Sequence, residues 1–141
     1  MESWCLRQVT RGELEAFWPL VAPGLSQACL RAHSPLRPAD MLRELQTGTA
    51  TLHVGLLEGA YGGAVVLKEC REPYSNRRLM YLWAAYACRR RVVELGLAEI
   101  CRLARRAGID ALCFQSPRRG WERRLKRAGF AIKDVTYQKE L

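Results

Sequence analysis

The sequence predicts an α+β domain in which helices flank a central mixed β-sheet. Apolar segments of strand type follow one another across tight turns in the middle of the chain, and strand and helix patterns alternate in its last third. The length of 141 residues is that of one ordinary domain. We therefore expect one domain over 1–141 with the element order β-α-α-β-β-β-α-β-α-β.

The first third of the chain predicts one strand and two helices. Residues 5–9 are the strand candidate, and apolar residues at helical spacing begin at Leu14. Pro19 lies inside this helical pattern and a Pro-Gly pair follows at 23–24, so we expect a short or kinked helix that ends there. A second helix is expected over 38–46.

The remainder of the chain predicts five strands and two helices. The run LMYLWAAYA at 79–87 is continuously apolar, which indicates a central strand buried on both faces. A glycine pair at 62–63 predicts a bulge or a close strand approach. The early strands should pair antiparallel and the late ones parallel. Predicted strands cover 50–57, 60–68, 79–87, 109–115 and 130–137, and predicted helices cover 90–107 and 116–128.

Charge and cysteine content limit the class of protein. The 23 Lys and Arg residues exceed the 14 Asp and Glu residues, giving a formal net charge of +9, which favours anionic partners. No apolar stretch is long enough to cross a membrane and no secretory signal is evident, so we expect neither a membrane partner nor signal-directed secretion. The six cysteines form no C-x-x-C pair, so we expect no metal site and reduced, mostly buried thiols.

Residues 111–115, ALCFQ, and 119–130, RGWERRLKRAGF, resemble a strand, a helix and a terminal Gly-Phe of the GNAT superfamily of N-acetyltransferases. The predicted element order is similar to that superfamily over almost the whole chain. The fragments at 118–122 and 137–141 also resemble divergent GNAT-like proteins of tailed phages, of the internal virion protein type. The first resemblance implies a GNAT-like sheet and acetyl-CoA as cofactor, and the second implies a virion or host cytoplasm location.

The resemblance places a cofactor loop and leaves the catalytic residues open. The family binds pyrophosphate with backbone N–H groups of a glycine-rich loop. Here that loop has no glycine. Two expectations follow, either that the protein binds acetyl-CoA or that it binds no cofactor. The expected central strand has no acid to act as a base, and the family's proton-donor tyrosine position is Leu125. The degenerate loop comprises Cys88, Arg89, Arg90, Arg91, Val92 and Val93, and the weak catalytic candidates are Glu69, Glu72 and Tyr86.

A basic surface is predicted on the last helix. Its cations are Arg118, Arg119, Arg123, Arg124, Lys126 and Arg127. Such a surface suits an acidic protein or nonspecific nucleic acid, because no sequence-reading motif accompanies it. The expected function is therefore a noncatalytic interaction or structural component, associated with a phage virion or with DNA ejection. The alternative is an active N-acetyltransferase that moves an acetyl group from acetyl-CoA to an amine.

Overall fold

The structure is a computed structural model that describes residues 3–32, 34–116 and 119–141. Within these residues it contains five strands, four α-helices and two short 3₁₀ turns, at Arg11–Glu13 and Arg119–Trp121. The strands and helices are β1 (Trp4–Val9), α1 (Leu14–Arg31), α2 (Pro38–Thr47), β2 (Thr51–Leu57), β3 (Ala60–Arg71), β4 (Arg78–Ala87), α3 (Arg90–Arg106), β5 (Ala111–Cys113) and α4 (Glu122–Arg127).

The five strands form one mixed sheet in the order β1-β2-β3-β4-β5. The first four pair antiparallel, and β5 pairs parallel to β4 after the α3 crossover. The predicted mixed sheet, antiparallel first and parallel near the late helices, is confirmed. The strand at 79–87 lies between β3 and β5, as predicted, although its burial is partial along much of its length.

Helices cover both faces of the sheet. Successive side chains of a strand point to opposite faces, so neighbouring residues enter different cores. Val66 packs in the core beneath α1 and α2, whereas Val65 and Leu67 pack with Ile100 of α3. The buried stripe of α1 includes Val21 and Leu25, both fully buried. These contacts hold the end of β4 between α1 and α3, where the cleft described below opens.

The expectation that Pro19 and the Pro-Gly pair shorten or end the first helix is wrong. Helix α1 continues through Pro19 and Pro23 to Arg31. Both prolines lie exposed, four residues apart, so the backbone hydrogen bonds that they remove face solvent while the buried stripe still anchors the helix. Gly24, the residue after Pro23, is buried because the Tyr86 ring lies against its Cα.

The predicted strand over 130–137 is also wrong, since the structure shows no regular element there. Its apolar residues are Phe130 and Ile132, then Val135 and Tyr137, so the alternation changes phase at the Lys-Asp pair between them. A strand in one phase would therefore not place all four side chains on one face. Within the described residues, the observed order lacks the final strand of the prediction, and β5 is shorter than its predicted range of 109–115.

Bulges interrupt the two central strands β3 and β4. On β3, Gly55 faces Gly63 and Leu56 faces Tyr61, so the residue between Tyr61 and Gly63 is unpaired. This confirms the bulge predicted at 62–63. On β4, Trp83 is the extra residue, because Val66 faces Ala84 and Leu67 faces Leu82. Bulges bend the strand that carries them and redirect its side chains.

The cysteines are less buried than predicted. All six are free, and Cys29 is the one buried thiol among them. Cys5 lies on the edge strand β1, and Cys88 lies at the exposed junction of β4 and α3. The expectation of mostly buried thiols is therefore wrong, because several of the apolar runs that contain them are half-exposed.

Candidate functional site

A cleft of about 390 Å³ opens beside the last residues of β4. Strand β5 pairs with β4 only from Leu79 to Tyr81, so beyond Tyr81 the side of β4 that faces β5 is unpaired within the described residues. The first turns of α3 form one wall of this opening. The 3₁₀ turn before α4 and the start of α4 form the other wall, and Ala28 and Arg31 of α1 reach its mouth. We call it the β4–β5 cleft.

The β4–β5 cleft has an apolar floor and a cationic rim. The described residues that line it include no Asp, Glu or His. A site lined by one sign of charge raises the local concentration of oppositely charged ligands. The floor includes Val65, Leu82, Leu97, Ile100 and Phe114. The rim carries Arg31, Arg89, Arg90 and Arg124.

The rim arginines differ in how firmly they are held. Arg124 lies over the Trp121 ring at 5.7 Å, and Trp121 packs edge-on against Phe114 with ring centroids 5.2 Å apart. Arg90 is 3.9 Å from Glu94, but both side chains are largely exposed, so this ion pair adds little stability. The aromatic pair therefore positions the charge on the α4 side, whereas Arg90 is free to turn toward a ligand.

The predicted cofactor loop lies at the cleft, with five of its six residues in the lining: Cys88, Arg89, Arg90, Val92 and Val93. The backbone N–H of Cys88 donates to the Gly62 carbonyl oxygen at 2.8 Å, and that of Val92 donates to the Arg89 carbonyl oxygen at 3.1 Å. Arg89 is the N-cap of α3, with extended backbone, and α3 has no acidic residue in its first turn. An anion would therefore meet the positive end of α3 without a competing carboxylate there.

Two glycines of the sheet, Gly55 and Gly62, make room for the Val92 side chain of α3. Val92 is buried, and a Cβ built at Gly62 would lie 2.9 Å from its Cγ2 atom. A Cβ at Gly55 would lie 3.6 Å from its Cγ1 atom. Because these glycines leave room, the valine seats α3 directly on β2 and β3. The start of α3 is thus fixed by side-chain packing, and the loop reaches the cleft mainly through arginine side chains.

Tyr86 is the weak catalytic candidate that the structure places at the cleft. Its hydroxyl is hydrogen-bonded to the Cys88 thiol, which raises the pKa of Tyr86. Nearby, burial raises the pKa of Tyr61 to about 12, and the Tyr61 hydroxyl has no hydrogen-bond partner among the described residues. Tyr61 itself packs against the core beneath α1 and α2 and does not line the cleft. The cleft residue that sequence reasoning missed is Arg31.

Glu69 and Glu72 do not line the cleft. Glu69 faces Met80 near the far end of β3 and accepts a 2.7 Å hydrogen bond from Arg78, which lowers the pKa of its carboxyl. Glu72 accepts hydrogen bonds from Ser75 at 2.9 Å and from Lys133 at 3.2 Å, and these lower its pKa too. A lowered pKa makes each carboxylate a weaker base, and each already has a cationic partner.

His53 is buried on the α3 face of the sheet, outside the cleft lining. Its Nε2 atom is 3.2 Å from the Thr51 hydroxyl, its Nδ1 atom has no partner among the described residues, and burial lowers its pKa. The structure thus gives it a core position and no access to a substrate in the cleft. Across 3–32, 34–116 and 119–141, no group of three or more His, Cys, Asp or Glu side chains could hold a metal ion.

The predicted basic surface is only partly described. Arg118 and the side chain of Arg119 lie outside the described residues. On α4, Arg123, Lys126 and Arg127 are exposed, while Arg124 lines the cleft rim. The cationic rim and the α4 cations therefore form neighbouring positive surfaces. None of the helices that the structure describes has the length and apolar character needed to cross a membrane.

Comparison with known proteins shows the fold. No family model matches the sequence, and no curated protein matches it significantly. A ribosomal-protein-alanine N-acetyltransferase from Brucella melitensis biovar Abortus 2308 superposes with a TM-score of 0.69 at 16% identity, over 99% of both chains. A GNAT family acetyltransferase from Staphylococcus aureus gives 0.66 at 15% identity, also over 99% of both chains. An aminoglycoside acetyltransferase from an uncultured soil metagenomic sample, in complex with sisomicin, gives 0.68 at 15% identity, over 98% of this chain and 96% of that one.

Proposed function

We propose that this GNAT-fold protein is a noncatalytic interaction module that binds anionic partners through the rim of the β4–β5 cleft and the cations of α4. One observation carries the proposal. The described lining of the cleft beside the degenerate cofactor loop offers arginines and no carboxylate or imidazole. A fold can persist as a scaffold when its chemistry is lost, since function resides in the site.

The cleft is poorly suited to acetyl transfer onto an amine. That reaction needs a group that takes a proton from the attacking nitrogen. Tyr86 is protonated at neutral pH, because a tyrosine hydroxyl ordinarily has a pKa near 10 and the Cys88 hydrogen bond raises the pKa of Tyr86 further, so it can donate a proton but is a poor acceptor. Glu69 and Glu72 are engaged elsewhere in the structure. The rim guanidinium groups also repel an ammonium acceptor.

The alternative is an N-acetyltransferase, and the open cleft favours it. A volume of about 390 Å³ is within the range of small-molecule sites. In that case Arg89 and Arg90 would hold the phosphates of acetyl-CoA, and Tyr86 would supply a proton to the departing thiolate. Deprotonation of the amine would then depend on solvent. The structural neighbours named as acetyltransferases support this alternative through their fold alone.

Calorimetry with acetyl-CoA separates the two functions. The noncatalytic proposal expects no micromolar binding and no acetylated product by mass spectrometry with a panel of amines. The informative variant is R89A/R90A, and the matched control is R105A/R106A, which removes the same charge from the other end of α3. Micromolar binding that R89A/R90A abolishes and R105A/R106A retains, together with turnover, would overturn the proposal in favour of the enzyme.

The proposed setting is a phage virion or its DNA-ejection apparatus. The sequence resemblance to GNAT-like proteins of tailed phages supports it, as does a positive surface suited to DNA phosphates or an acidic virion protein. Mass spectrometry of density-purified particles tests the setting. Recovery of the chain in stoichiometric amounts is expected, and its absence from purified particles would contradict a virion role while leaving the binding proposal to its own test.

A further inference from the structure

Helix α1 exposes an apolar face to solvent. Between Glu15 and Arg31 it carries no charged residue, whereas a surface helix ordinarily has charged and polar residues opposite its buried stripe. Leu20 is 48% exposed and Leu30 74%. Packing on the sheet therefore leaves part of the apolar surface of this helix uncovered. The exposed residues between the two charges are Ala16, Pro19, Leu20, Pro23, Gln27 and Leu30.

The exposed residues of α1 are arranged symmetrically about Pro23. Ala16 and Leu30 lie seven positions on either side of it, and Pro19 and Gln27 lie four. These offsets are about two turns and one turn of an α-helix, so the residues share one face. In an antiparallel pair of α1 helices centred on Pro23, Ala16 of one copy would lie level with Leu30 of the other. Each large side chain would then meet a small one.

The polar groups of this face are complementary in the same arrangement. Glu15 and Arg31 lie eight positions on either side of Pro23, so an antiparallel pair would bring opposite charges level at both ends. Gln27 of one copy would lie level with Pro19 of the other. Because Pro23 has no N–H, the Pro19 carbonyl oxygen lacks its helical donor and can accept from the Gln27 amide. A parallel pair would instead bring like charges together at each end.

We propose that the exposed face of α1 is a homodimer interface, in which the α1 helices of two copies pack antiparallel about a two-fold axis near Pro23. The chain has a formal net charge of +9, so most approaches of two copies bring cations together, whereas residues 16–30 are uncharged. One helix pair is a small interface, so the dimer depends on concentration. Arg31 also reaches the mouth of the β4–β5 cleft, so each cleft would open beside the interface. The proposal does not depend on what the cleft binds.

Analytical ultracentrifugation of the full chain, in a buffer without polyvalent anions, tests the interface. A concentration-dependent dimer is expected, and L20D/L30D should weaken it at least ~10-fold, because each copy would bury carboxylates in place of apolar side chains. Y74D/L141D is the matched control, since Tyr74 and Leu141 are exposed apolar residues outside α1. A chain that stays monomeric at all concentrations, or a dimer that persists in L20D/L30D, would overturn the proposal.

Charge exchange tests the antiparallel orientation. E15R and R31E should each weaken the dimer several-fold, because each brings like charges together twice in a two-fold dimer. E15R raises the net charge by two and R31E lowers it by two, so general repulsion would shift the dimer in opposite directions. E15R/R31E restores both pairs and should return association to near the wild-type level. A double variant as weak as the single variants would overturn the antiparallel arrangement.

Vesicles distinguish a second copy from a lipid surface as the occupant of this face, because an apolar helix face can also lie on a membrane. Neither the wild-type chain nor L20D/L30D should sediment with phosphatidylcholine vesicles, which offer apolar interior without net charge. Sedimentation of the wild-type chain that L20D/L30D abolishes would mean that α1 covers lipid, and it would overturn the proposal. All these variants alter exposed residues, so unchanged circular dichroism is the check that they fold.

Discussion

The two faces of the sheet differ in how completely they are buried. The connected apolar cluster beneath α1 and α2 contains 13 buried residues among those described, whereas the cluster beneath α3 contains four, with His53, Val92 and Ala104 buried outside it. From 89 to 127 the chain carries 12 Lys and Arg residues against four acids, so its charge is concentrated on the thinner side. The cleft opens on that side too. The α1–α2 side stabilises the fold, and the less buried side presents the surfaces with which an anionic partner can interact.

The largest expected difference between the two sides is in the stability lost when a buried side chain is truncated. Leu25→Ala on α1 removes a side chain with 0% exposure, and large-to-small changes at such sites cost about 2–5 kcal/mol. Leu125→Ala on α4 alters a half-buried side chain and should cost less than about 1 kcal/mol. Urea unfolding of both variants measures the difference. Equal losses would mean that α4 is as integral to the fold as α1.

Two helical glycines provide a sharper test, because replacing each by Ala should change the free energy of unfolding in opposite directions. A Cβ at Gly24 would lie 2.4 Å from the Tyr86 ring, so Gly24→Ala should destabilise by about 1–3 kcal/mol through overpacking. A Cβ at Gly96 of α3 meets nothing within 4 Å, so Gly96→Ala should stabilise by about 0.5–1 kcal/mol through helix propensity.

The variant Y86A/G24A checks the cause. If the Tyr86 ring is the obstacle, the Gly24→Ala penalty should largely disappear once that ring is removed, and a double-mutant cycle should show the coupling. An unchanged penalty would mean that the glycine is needed for another reason. Tyr86 would then not link α1 to the mouth of the cleft.

Much of the sheet could be predicted from the sequence, because local pattern and tertiary environment agree there. The alternation of Leu52, Val54 and Leu56 and the long apolar run of β4 predicted strands that the structure contains. Helix α1 could not be bounded correctly, because Pro19 and the Pro-Gly pair are local signals that burial of the opposite stripe overrides. The strand predicted over 130–137 is wrong for another reason, because its apolar alternation changes phase at Lys133 and Asp134 and no single face would bury all four side chains.

The candidate site was predictable in position but not in detail. The loop at 88–93 was placed by resemblance, and the structure puts most of it at the cleft. Arg31 was not foreseen, because it reaches the same cleft from α1, far away in sequence. Glu69 is closer in sequence to the loop at 88–93 than Arg31 is, but it lies at the end of β3 away from the cleft. Strand register decides which end of β3 a residue occupies, and the residue types alone do not reveal that register.

The buried imidazole on the α3 side predicts a pH dependence. Burial lowers the pKa of His53 below the ordinary histidine value of about 6.5, so the folded state favours the neutral ring. The corresponding stability is fully present above the unfolded pKa and is lost as the pH falls through 6.5 toward the folded pKa. Wild type should therefore lose stability on acidification in this window, before carboxylates titrate.

His53→Leu isolates that contribution. The variant should show a flatter dependence of the free energy of unfolding on pH between about 7 and 5, because the titrating group is gone. Absolute stability can move in either direction, so the informative quantity is the difference in slope from wild type. Identical slopes would show that the imidazole is as accessible to protons in the folded state as in the unfolded state.

The smallest expected effect concerns the exposed cations of α4, where each charge contributes little alone. If phosphates bind there, log affinity for nonspecific duplex DNA should fall linearly with log salt, with a slope of about 0.9 per neutralised phosphate. R123A/K126A/R127A removes three exposed cations of α4, so the slope should become shallower by up to about three such increments. R105A/R106A removes exposed cations at the end of α3 and should leave the slope nearly unchanged. Fluorescence anisotropy at several salt concentrations measures both. A slope that changes by the same amount per removed charge in both variants would mean that DNA responds only to net charge, and the α4 surface would then have no specific role in binding.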